Sequence, residues 1–566
     1  MKNEAMSNKR ILRKTSLFSL LAARFFQHPS RSYLPVRSKQ MKALYLFVFL
    51  LGAALGPVAA GTTPSPFEDK SLLIFFTNPS GKLDSFVFGK LKQLGIQSAN
   101  PCSDAVFLRR VYLDVIGTLP TPEEARKFLD DKNNNKRAAL IDRLLERDEF
   151  ADYWGMKWCD LLRVKAEFPV NLWPNAAQAY DRWIRTSIRQ NKPYSHFVWE
   201  ILTSNGSNFK APPVNFYRST GGKDPKSIAR AVALTFMGER AEKWPQAKWD
   251  GMAAFFSQVG FKSTAEWKEE IVYYNGNDKS QEPAGKAVFP DGTPAQLTGE
   301  KDPREAFATW LLTSKNSPFA RNAVNRVWFW LMGRGIIQEP DDSRSDNPPS
   351  NPELLSWLAQ ELISSKYDIK HIYRLILNSK AYQLSCIPGS TKPEAEVNFA
   401  YYPLRRLEAE VLIDALDQIT GSTEEYSSMI PEPFTWVPED KRSIALPDGS
   451  ISSAFLDLFG RPPRDTGVLS ERNNRPTSAQ RLHLLNSSHI QSKITASERL
   501  KAIFRSSPTP LEGITQIYLL VLSRYPTLEE LAALKAYTQT GEAKGWNVSY
   551  DLTWALMNSA EFLYRH

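Results

Sequence analysis

One stretch is the most informative about this fold: Ala320-Arg-Asn-Ala-Val-Asn-Arg-Val-Trp-Phe-Trp-Leu-Met-Gly-Arg-Gly335. It has the composition of an apolar, aromatic helix that carries Asn and Arg, and its Gly-Arg-Gly end is typical of a helix stop. A polar turn with Asp341 and Asp342 follows, and a proline-started helix comes next. Folding alone seldom needs so many polar residues in an apolar helix. The stretch therefore predicts a helix over 318–333 and a candidate polar site at its exit.

Most of the chain after residue 80 shows the same preference for helix. Asp104 to Ile116 is apolar at helical spacing. Thr121-Pro-Glu-Glu124 is a capping box with proline at the first helical position. Other helices are predicted at about 121–131, 136–147, 149–165, 175–190, 194–203, 226–238, 303–313, 351–364, 368–379, 405–420, 477–485, 487–499, 511–523, 527–540 and 548–563.

Residues 260–302 differ from the helical segments on either side. Ile271-Val-Tyr-Tyr274 and Lys286-Ala-Val-Phe289 have strand composition, and Asn275-Gly276 and Asp291-Gly292 are turn signals. We therefore predict a mainly α fold of two helical domains with a small β insertion between them. The predicted parts are a leader at 1–60, a linker at 61–84, a helical domain at 85–259, the β element at 260–302 and a second helical domain at 303–566. The proline-rich residues 422–475 are predicted to form a long surface or cleft-lining excursion.

The positive charge of the chain is concentrated in its leader. The formal net charge is +10 over 566 residues. Residues 1–60 contain ten Lys or Arg and one acid, Glu4, which gives +9 and leaves +1 for the rest. A near-neutral body offers no electrostatic footprint for a phosphate backbone, so nucleic acid is not an expected partner.

The leader has the pattern of an export signal. Lys42 precedes the apolar run from Ala43 to Leu55, and Val58-Ala-Ala60 fits a small-residue cleavage site. The run is shorter than the ~20 residues of a membrane span. An uncleaved signal anchor is the alternative, and translation starting at Met41 would give an ordinary signal peptide. We expect an exported protein of the periplasm or cell envelope, or an extracellular one, with membrane attachment only through an uncleaved leader.

Three cysteines are too few for a disulfide framework or a metal knuckle, and the chain has no Cys-x-x-Cys-His for a covalent haem. A Cys102–Cys159 bridge and two buried free thiols are both open interpretations. His483 and His489 lie six residues apart across an expected helix break, which is not a usual ligand spacing. No cofactor and no metal are predicted.

The candidate site combines two carboxylates with three guanidiniums near the exit of the 318–333 helix. An acid held beside arginines stays ionised, which suits a structural salt-bridge network or a site for a cation or sugar hydroxyl, but not a general acid. Both interpretations stay open. The residues are Asn325, Arg326, Arg334, Asp341, Asp342, Arg344 and Asn347.

Two other features are candidates for ligand contact. The loop from Arg461 to Arg464 holds two arginines apart with Pro-Pro, which suits an anion pocket. Trp244, Trp249 and Trp436 lie near predicted loops, where indole rings are able to stack on carbohydrate, although core packing is the common role of Trp.

One segment occurs twice at a constant offset of 406. Val111-Tyr-Leu-Asp-Val-Ile-Gly-Thr-Leu-Pro-Thr-Pro-Glu-Glu124 is similar to Ile517-Tyr-Leu-Leu-Val-Leu-Ser-Arg-Tyr-Pro-Thr-Leu-Glu-Glu530. Each copy leads to a helix with Glu-Phe, at Phe150 and at Phe562. Two interpretations are open: one capped helix–turn–helix unit used twice, or a duplicated pseudo-repeat.

These motifs resemble a pair of domains found in secreted proteins of planctomycetes and related bacteria. The segment from Phe107 to Pro122 is similar to the planctomycete cytochrome-associated domain two, and the opening stretch is similar to the planctomycete secreted domain one. Further motifs of the resemblance are Asp142–Leu145, Trp158–Arg163, Pro193–Phe197, Leu384–Ser385, Arg405–Glu410, Phe459–Arg464, Leu482–Asn486 and Trp554–Phe562. The resemblance implies a secreted protein of unknown activity whose partner is a second secreted protein encoded nearby.

The chain departs from that resemblance at two places. Members of the first family often carry a Cys-Ala-Gln-Cys-His-Asp-His stretch, similar to a haem-attachment or metal motif, after a helix ending in Phe-Leu-Gly. Here Phe236-Met-Gly238 leads to Glu239 and no cysteine. The family's usual His in a Ser-His-Pro-Glu-Leu-Leu segment is replaced by Asn351 here. We therefore expect a non-haem binding or scaffold protein. A secreted hydrolase or lyase acting on an anionic or polymeric glycan is the alternative, and an electron-transfer component is the weaker one.

Overall fold

A computed structural model describes residues 66–72, 81–277, 286–297, 301–313, 318–541, 543 and 545–566. The predicted leader and most of the predicted linker lie outside the described residues. The fold is mainly α, as predicted. The first half is built from α1 (Lys82–Gln93), α2 (Asp104–Val115), α3 (Pro122–Asp130), α4 (Lys136–Leu145), α5 (Asp148–Leu161), α6 (Pro174–Arg189), α7 (Tyr194–Thr203), α8 (Asn215–Arg218), α9 (Pro225–Val232) and α10 (Gln246–Ala253).

The second half continues with helices of similar length. They are α11 (Pro303–Thr313), α12 (Pro318–Met332), α13 (Pro352–Ser364), α14 (Ile369–Asn378), α15 (Glu394–Val397), α16 (Ala409–Thr420), α17 (Ala454–Leu458), α18 (Ser478–Asn486), α19 (Ser488–Thr495), α20 (Glu498–Ser506), α21 (Pro510–Leu522), α22 (Leu528–Gln539), α23 (Trp546–Met557) and α24 (Ala560–Leu563).

Side-chain caps set several helix starts. Thr121 accepts a hydrogen bond from the Glu124 amide while the Glu124 carboxylate accepts one from the Thr121 amide, so the predicted capping box is confirmed. The predicted helix over 226–238 ends differently: α9 stops at Val232, and a π-helical turn over Ala233–Met237 completes it. Gly238 at φ +69° then ends the turn, in a left-handed conformation that glycine adopts readily.

The β element is confirmed in part. Strands β1 (Gly206–Ser207), β2 (Val259–Ser263) and β3 (Glu270–Tyr274) form an antiparallel sheet in the order β1-β3-β2. The predicted strand at 271–274 lies within β3, whereas the one at 286–289 is reduced to an isolated bridge between Val288 and Pro294. The sheet also recruits residues 206–207, which lie well before the predicted insertion.

Three other predictions from helical pattern were wrong in detail. The predicted helix at 405–420 begins at Ala409, because Arg405–Arg406 forms strand β4, which pairs with β5 (Tyr564–Arg565). The one at 548–563 divides into α23 and α24, and the one at 487–499 ends at Thr495. Helices α1, α8, α10, α15, α17 and α20 were not predicted. Residues 422–475 are not only a surface excursion, because Ile444 and Phe455 in that segment are buried.

One hydrophobic cluster runs through both halves. The Trp154 ring of α5 lies 5.3 Å from the Trp330 ring of α12 and 4.4 Å from the Tyr373 ring of α14. Such aromatic contacts add to the area that each ring buries. The domain boundaries at 259 and 303 stay a prediction, since side chains on either side share this core.

A buried polar network also joins the two halves. Arg565 near the end of the chain pairs with Glu408 at 2.7 Å and with Asp114 at 3.3 Å. Lys157 of α5 donates to the same Glu408 carboxylate. Burial raises the pKa of Glu408, but the charges of Arg565 and Lys157 outweigh it and hold that pKa well below the usual value. Buried carboxylates are tolerated only when they are paired in this way.

The cysteines are buried free thiols, so the disulfide interpretation of Cys102 and Cys159 is not supported. The Cys159 thiol donates to Asp181 at 3.4 Å, and burial raises its pKa above the ordinary value. A thiol of raised pKa is a weak nucleophile and a structural residue. No helix among the described residues has the length and apolar content that a membrane crossing requires.

Candidate functional site

The predicted constellation around the exit of α12 divides into a buried part and an exposed part. Asn325 is 2% exposed, and its amide nitrogen donates to the Ile337 carbonyl at 3.0 Å. Its Oδ1 accepts from the Ile337 amide at 2.9 Å. These two bonds fold the chain back on the helix after the Gly-Arg-Gly stop.

Arg326 lies one residue further along α12 and is also buried. It donates to the Leu234 carbonyl at 2.8 Å, to the Thr235 carbonyl, and to Asp341 Oδ1 at 2.8 Å. The two carbonyls belong to the last turn before Gly238, where backbone acceptors lack helical partners. Arg326 thus caps the end of that turn and neutralises Asp341 at the same time.

The turn that follows α12 packs on the Gly238 turn of the first half. The Ser343 amide donates to the Gly238 carbonyl at 2.8 Å. A Cβ on Gly238 would lie 2.5 Å from Asn322 Oδ1 and 2.9 Å from the Pro340 carbonyl oxygen, so only glycine fits. The chain departs from the family resemblance directly after Phe236-Met-Gly238, and Gly238 is in direct contact with the turn that carries Asp341 and Asp342.

The remaining predicted residues form a partly exposed rim. Asp342 pairs with Lys243 at 3.2 Å and with Arg344 at 3.1 Å, and Asn347 donates to the Asp342 carbonyl at 2.9 Å. Arg334 is half-buried and has no ion-pair partner among the described residues. Pairs of this exposure are worth ~0–1 kcal/mol each, so they position the turn weakly.

Arg461 and Arg464 both point into the protein. Arg464 donates to Asp160 Oδ1 at 2.9 Å, and Arg461 donates to the carbonyls of Asp448 at 3.1 Å and Ile451. Burial lowers the pKa of Arg461 to about 10. The guanidiniums of this loop therefore bind groups of the chain itself.

The turn after α12 and the loop that carries Arg461 and Arg464 belong to one network of hydrogen bonds and ion pairs. The Leu469 amide donates to Asp341 Oδ2 at 2.6 Å, so the segment after Arg464 reaches the α12 turn. Arg472 pairs with Asp160 at 2.7 Å and with Glu410 at 2.6 Å. Burial raises the pKa of both carboxyls, but the neighbouring arginines outweigh it and keep each pKa below its usual value. Both acids stay ionised, which favours an ionic lock over general-acid chemistry.

A different feature is open to solvent: a group of apolar side chains that we call the aromatic surface. Trp173 joins it together, because its ring lies 6.3 Å from that of Trp267 and 5.6 Å from that of Phe434. Phe168 is 85% exposed and Met429 is 88% exposed. The members are Phe168, Trp173, Trp267, Met429, Phe434 and Trp436, with Trp267, Phe434 and Trp436 exposed by 66%, 50% and 49%.

The three segments of the aromatic surface are held by polar contacts. Glu167 Oε1 accepts from the Met429 amide at 3.0 Å, which ties the loop before Trp173 to the 428–436 segment. Lys268 lies 5.3 Å from the Trp173 ring and 5.4 Å from the Trp267 ring. Groups of exposed apolar residues of this kind mark interaction sites more often than isolated ones do.

Of the three tryptophans singled out from the sequence, only Trp436 belongs to the aromatic surface. Lys248 lies 4.0 Å from the Trp244 ring and Lys226 lies 5.7 Å from the Trp249 ring. Sequence reasoning missed the other members because they come from three separate loops. The Phe168-Pro169 dipeptide and the Pro431-Glu-Pro433 tripeptide were the available signals, since proline-rich loops beside aromatic residues favour exposed, fixed positions.

Comparison with known families confirms the resemblance. Residues 82–237 match the family PSCyt2, described as a protein of unknown function (DUF1549), and residues 303–538 match PSD1, described as a protein of unknown function (DUF1553). The chain belongs to the proteins that carry these two domains in this order. No curated protein and no solved structure matches it.

Proposed function

We propose that this chain is a non-haem binding protein, a scaffold for a secreted protein partner, and that the partner docks on the aromatic surface. The aromatic surface is the single observation on which the proposal depends. Burying an apolar side chain of this size contributes about 1.5–3 kcal/mol. A few such side chains carry most of the binding energy in protein interfaces.

The composition of the aromatic surface favours protein over sugar. Phe168 and Met429 are its most exposed members, and neither has a polar group for sugar hydroxyls. Aromatic residues and Met are enriched in protein interfaces. The candidate charged residues do not favour the hydrolase or lyase alternative, because Arg326, Asp341 and Arg464 are buried against partners within the chain.

Export completes the proposal. The leader pattern before Gly61 and the family resemblance support a location in the periplasm, the cell envelope or outside the cell, with a partner encoded nearby. Neither domain description names an activity. A scaffold role is consistent with the expected export and with domain descriptions that name no activity.

The test is quantitative binding to the secreted protein encoded beside this chain. We expect Phe168→Ala with Met429→Ala to weaken the Kd at least about tenfold, as for interface anchors. Leu528→Ala is the matched control, since Leu528 is 80% exposed and outside the aromatic surface. An unchanged Kd in the double variant, or an equal loss in the control, contradicts the proposal.

A second function, binding of an anionic glycan, has its own supporting observation. Trp173 and Trp267 present two indole rings with Lys268 against both, which suits a sugar ring that carries a carboxylate. Titration with polygalacturonate should then change the indole fluorescence, and Trp267→Ala should remove the change. An equal response to neutral dextran, or none to either polymer, decides against this function.

A further inference from the structure

Two histidines meet at the break between α18 and α19. His483 lies in the last turn of α18, and His489 lies in the first turn of α19. Ser487 caps α19 by accepting from the Ile490 amide, so the chain turns sharply between the two helices. As a result, His483 Nε2 and His489 Nδ1 lie 3.3 Å apart, although the sequence spacing of six did not predict a contact.

Phe455 packs against both imidazole rings, and Glu424 contacts the His489 ring. The ring of buried Phe455 lies 5.7 Å from the His483 ring and 6.0 Å from the His489 ring, in edge contacts. Glu424, which is 6% exposed, lies with its Oε2 at 2.9 Å from His489 Nε2. An ionised carboxylate only accepts, so His489 Nε2 carries the proton and His489 Nδ1 presents a lone pair toward His483.

His483 and His489, with Glu424 beside His489, have the arrangement of a metal-binding site, which we call the clamp. Two imidazole nitrogens bound to one tetrahedral Zn²⁺ at ~2.0–2.1 Å lie about 3.3 Å from each other. A carboxylate on the far nitrogen of a ligating histidine is the usual support of such a ligand. Asp417 and Glu424 face Lys493 at 2.6 Å and 3.3 Å, so two carboxylates meet one ammonium and the surroundings are net negative.

We propose that His483 and His489 bind a divalent transition-metal ion of the Zn²⁺ or Cu²⁺ type, with Glu424 as the positioning residue for His489. The described residues hold no group of three or more His, Cys, Asp or Glu side chains arranged for a metal ion. The clamp therefore supplies two ligands, and water fills the remaining positions. The proposal is independent of partner docking on the aromatic surface.

The experiment is equilibrium dialysis of the full chain, made without a polyhistidine tag, against ZnCl₂. We expect one Zn²⁺ per chain, and at least about tenfold weaker binding in His483→Gln and in His489→Gln. Loss of the supporting carboxylate in Glu424→Gln should weaken binding by roughly 10–100-fold. His196→Gln is the matched control, because His196 lies on the surface with its Nε2 3.0 Å from Glu200.

A second measurement needs no variant. Cu²⁺ prefers nitrogen ligands, and its electron paramagnetic resonance spectrum shows how many imidazoles bind it. Two equivalent nitrogens at one Cu²⁺ per chain support the clamp. Oxygen ligands only, binding that His483→Gln leaves unchanged, or an equal loss in His196→Gln overturns it and leaves a plain hydrogen bond between two imidazoles.

Discussion

The two copies of the Pro-Thr-x-x-Glu segment fold alike but are buried to different depths. Helices α2 and α21 begin 406 residues apart, at Asp104 and Pro510, and α3 and α22 begin 406 apart as well. Gly117 and Ser523 occupy the same left-handed position, with φ of 60° and 59°. Both interpretations of the sequence, a duplicated unit or one motif used twice, predict this common backbone.

Each copy also uses one arginine to join two glutamates. Arg524 binds the cap residue Glu530 at 2.7 Å and Glu561 of the Glu-Phe motif at 2.7 Å. In the first copy, Arg147 binds the equivalent Glu124 at 2.9 Å and also Glu149.

The arginines come from different places, since Arg524 precedes its capped helix and Arg147 follows α4. Their side chains are 8% and 32% exposed. The second copy is covered by the first half, because Arg109 of α2 donates to the carbonyls of Val521 at 2.8 Å and Phe562 at 2.9 Å. The motif thus determines the backbone, and the tertiary surroundings determine how much its ion pairs contribute.

The largest expected effect is the loss of the buried arginine. Arg524→Met leaves Glu561 buried without its ion-pair partner, which should reduce the free energy of unfolding by about 3–5 kcal/mol. Arg147→Met removes exposed pairs and should cost only about 0–1 kcal/mol. Urea denaturation measures both, and equal losses would show that burial does not distinguish the two copies.

The left-handed position gives the next largest difference. A Cβ on Gly117 would lie 2.6 Å from Tyr153 Cδ2, so Gly117→Ala should destabilise the fold by about 1–3 kcal/mol. Ser523→Gly should instead stabilise it, by up to about 1 kcal/mol, because serine is strained at this φ. Thermal melting tests the opposite signs, and a lower Tm for Ser523→Gly would contradict the argument.

A pH titration sharpens the same comparison. Burial raises the pKa of Glu561, but the charge of Arg524 outweighs it and holds that pKa below its usual value. The stability from this pair is therefore present above the ordinary Glu pKa and is lost as pH falls through the folded-state value. We expect Glu561→Gln to flatten the acid limb of the stability curve more than Glu149→Gln does. An identical limb in both variants would place the acid sensitivity elsewhere.

The smallest effect concerns the caps. Thr121→Ala and Thr527→Ala each remove a side-chain acceptor from an equivalent capping box and should each cost about 1 kcal/mol. Because these bonds are local, we expect similar losses in the two copies. Chemical denaturation of both variants gives the comparison, and a clear inequality would mean that the caps also sense tertiary burial.

The helices were predictable where local signals exist. The capping box at Thr121 and the proline that starts α13 gave nearly correct starts. The predicted start at 405 was wrong because Arg405–Arg406 pairs with Tyr564–Arg565, and a pairing so distant in sequence leaves no local signal.

In the candidate site too, contacts close in sequence were predictable and contacts between distant segments were not. Contacts close in sequence, such as Arg326 with Asp341, lay within the predicted constellation. The contacts of Asp160 with Arg464 and of Leu469 with Asp341 were not predictable, because they depend on how distant segments pack. The aromatic surface was missed for the same reason.

The position of Arg565 has a consequence for synthesis. Glu408 is synthesised 157 residues before Arg565, the arginine that neutralises it, and Asp114 is synthesised earlier still. A nascent chain that lacks Arg565 holds two core acids without their full set of counter-charges, so this part of the core cannot complete its ion pairs before residue 565 is made. A polypeptide that stops before residue 565 is therefore expected to pack incompletely and to be degraded by proteases.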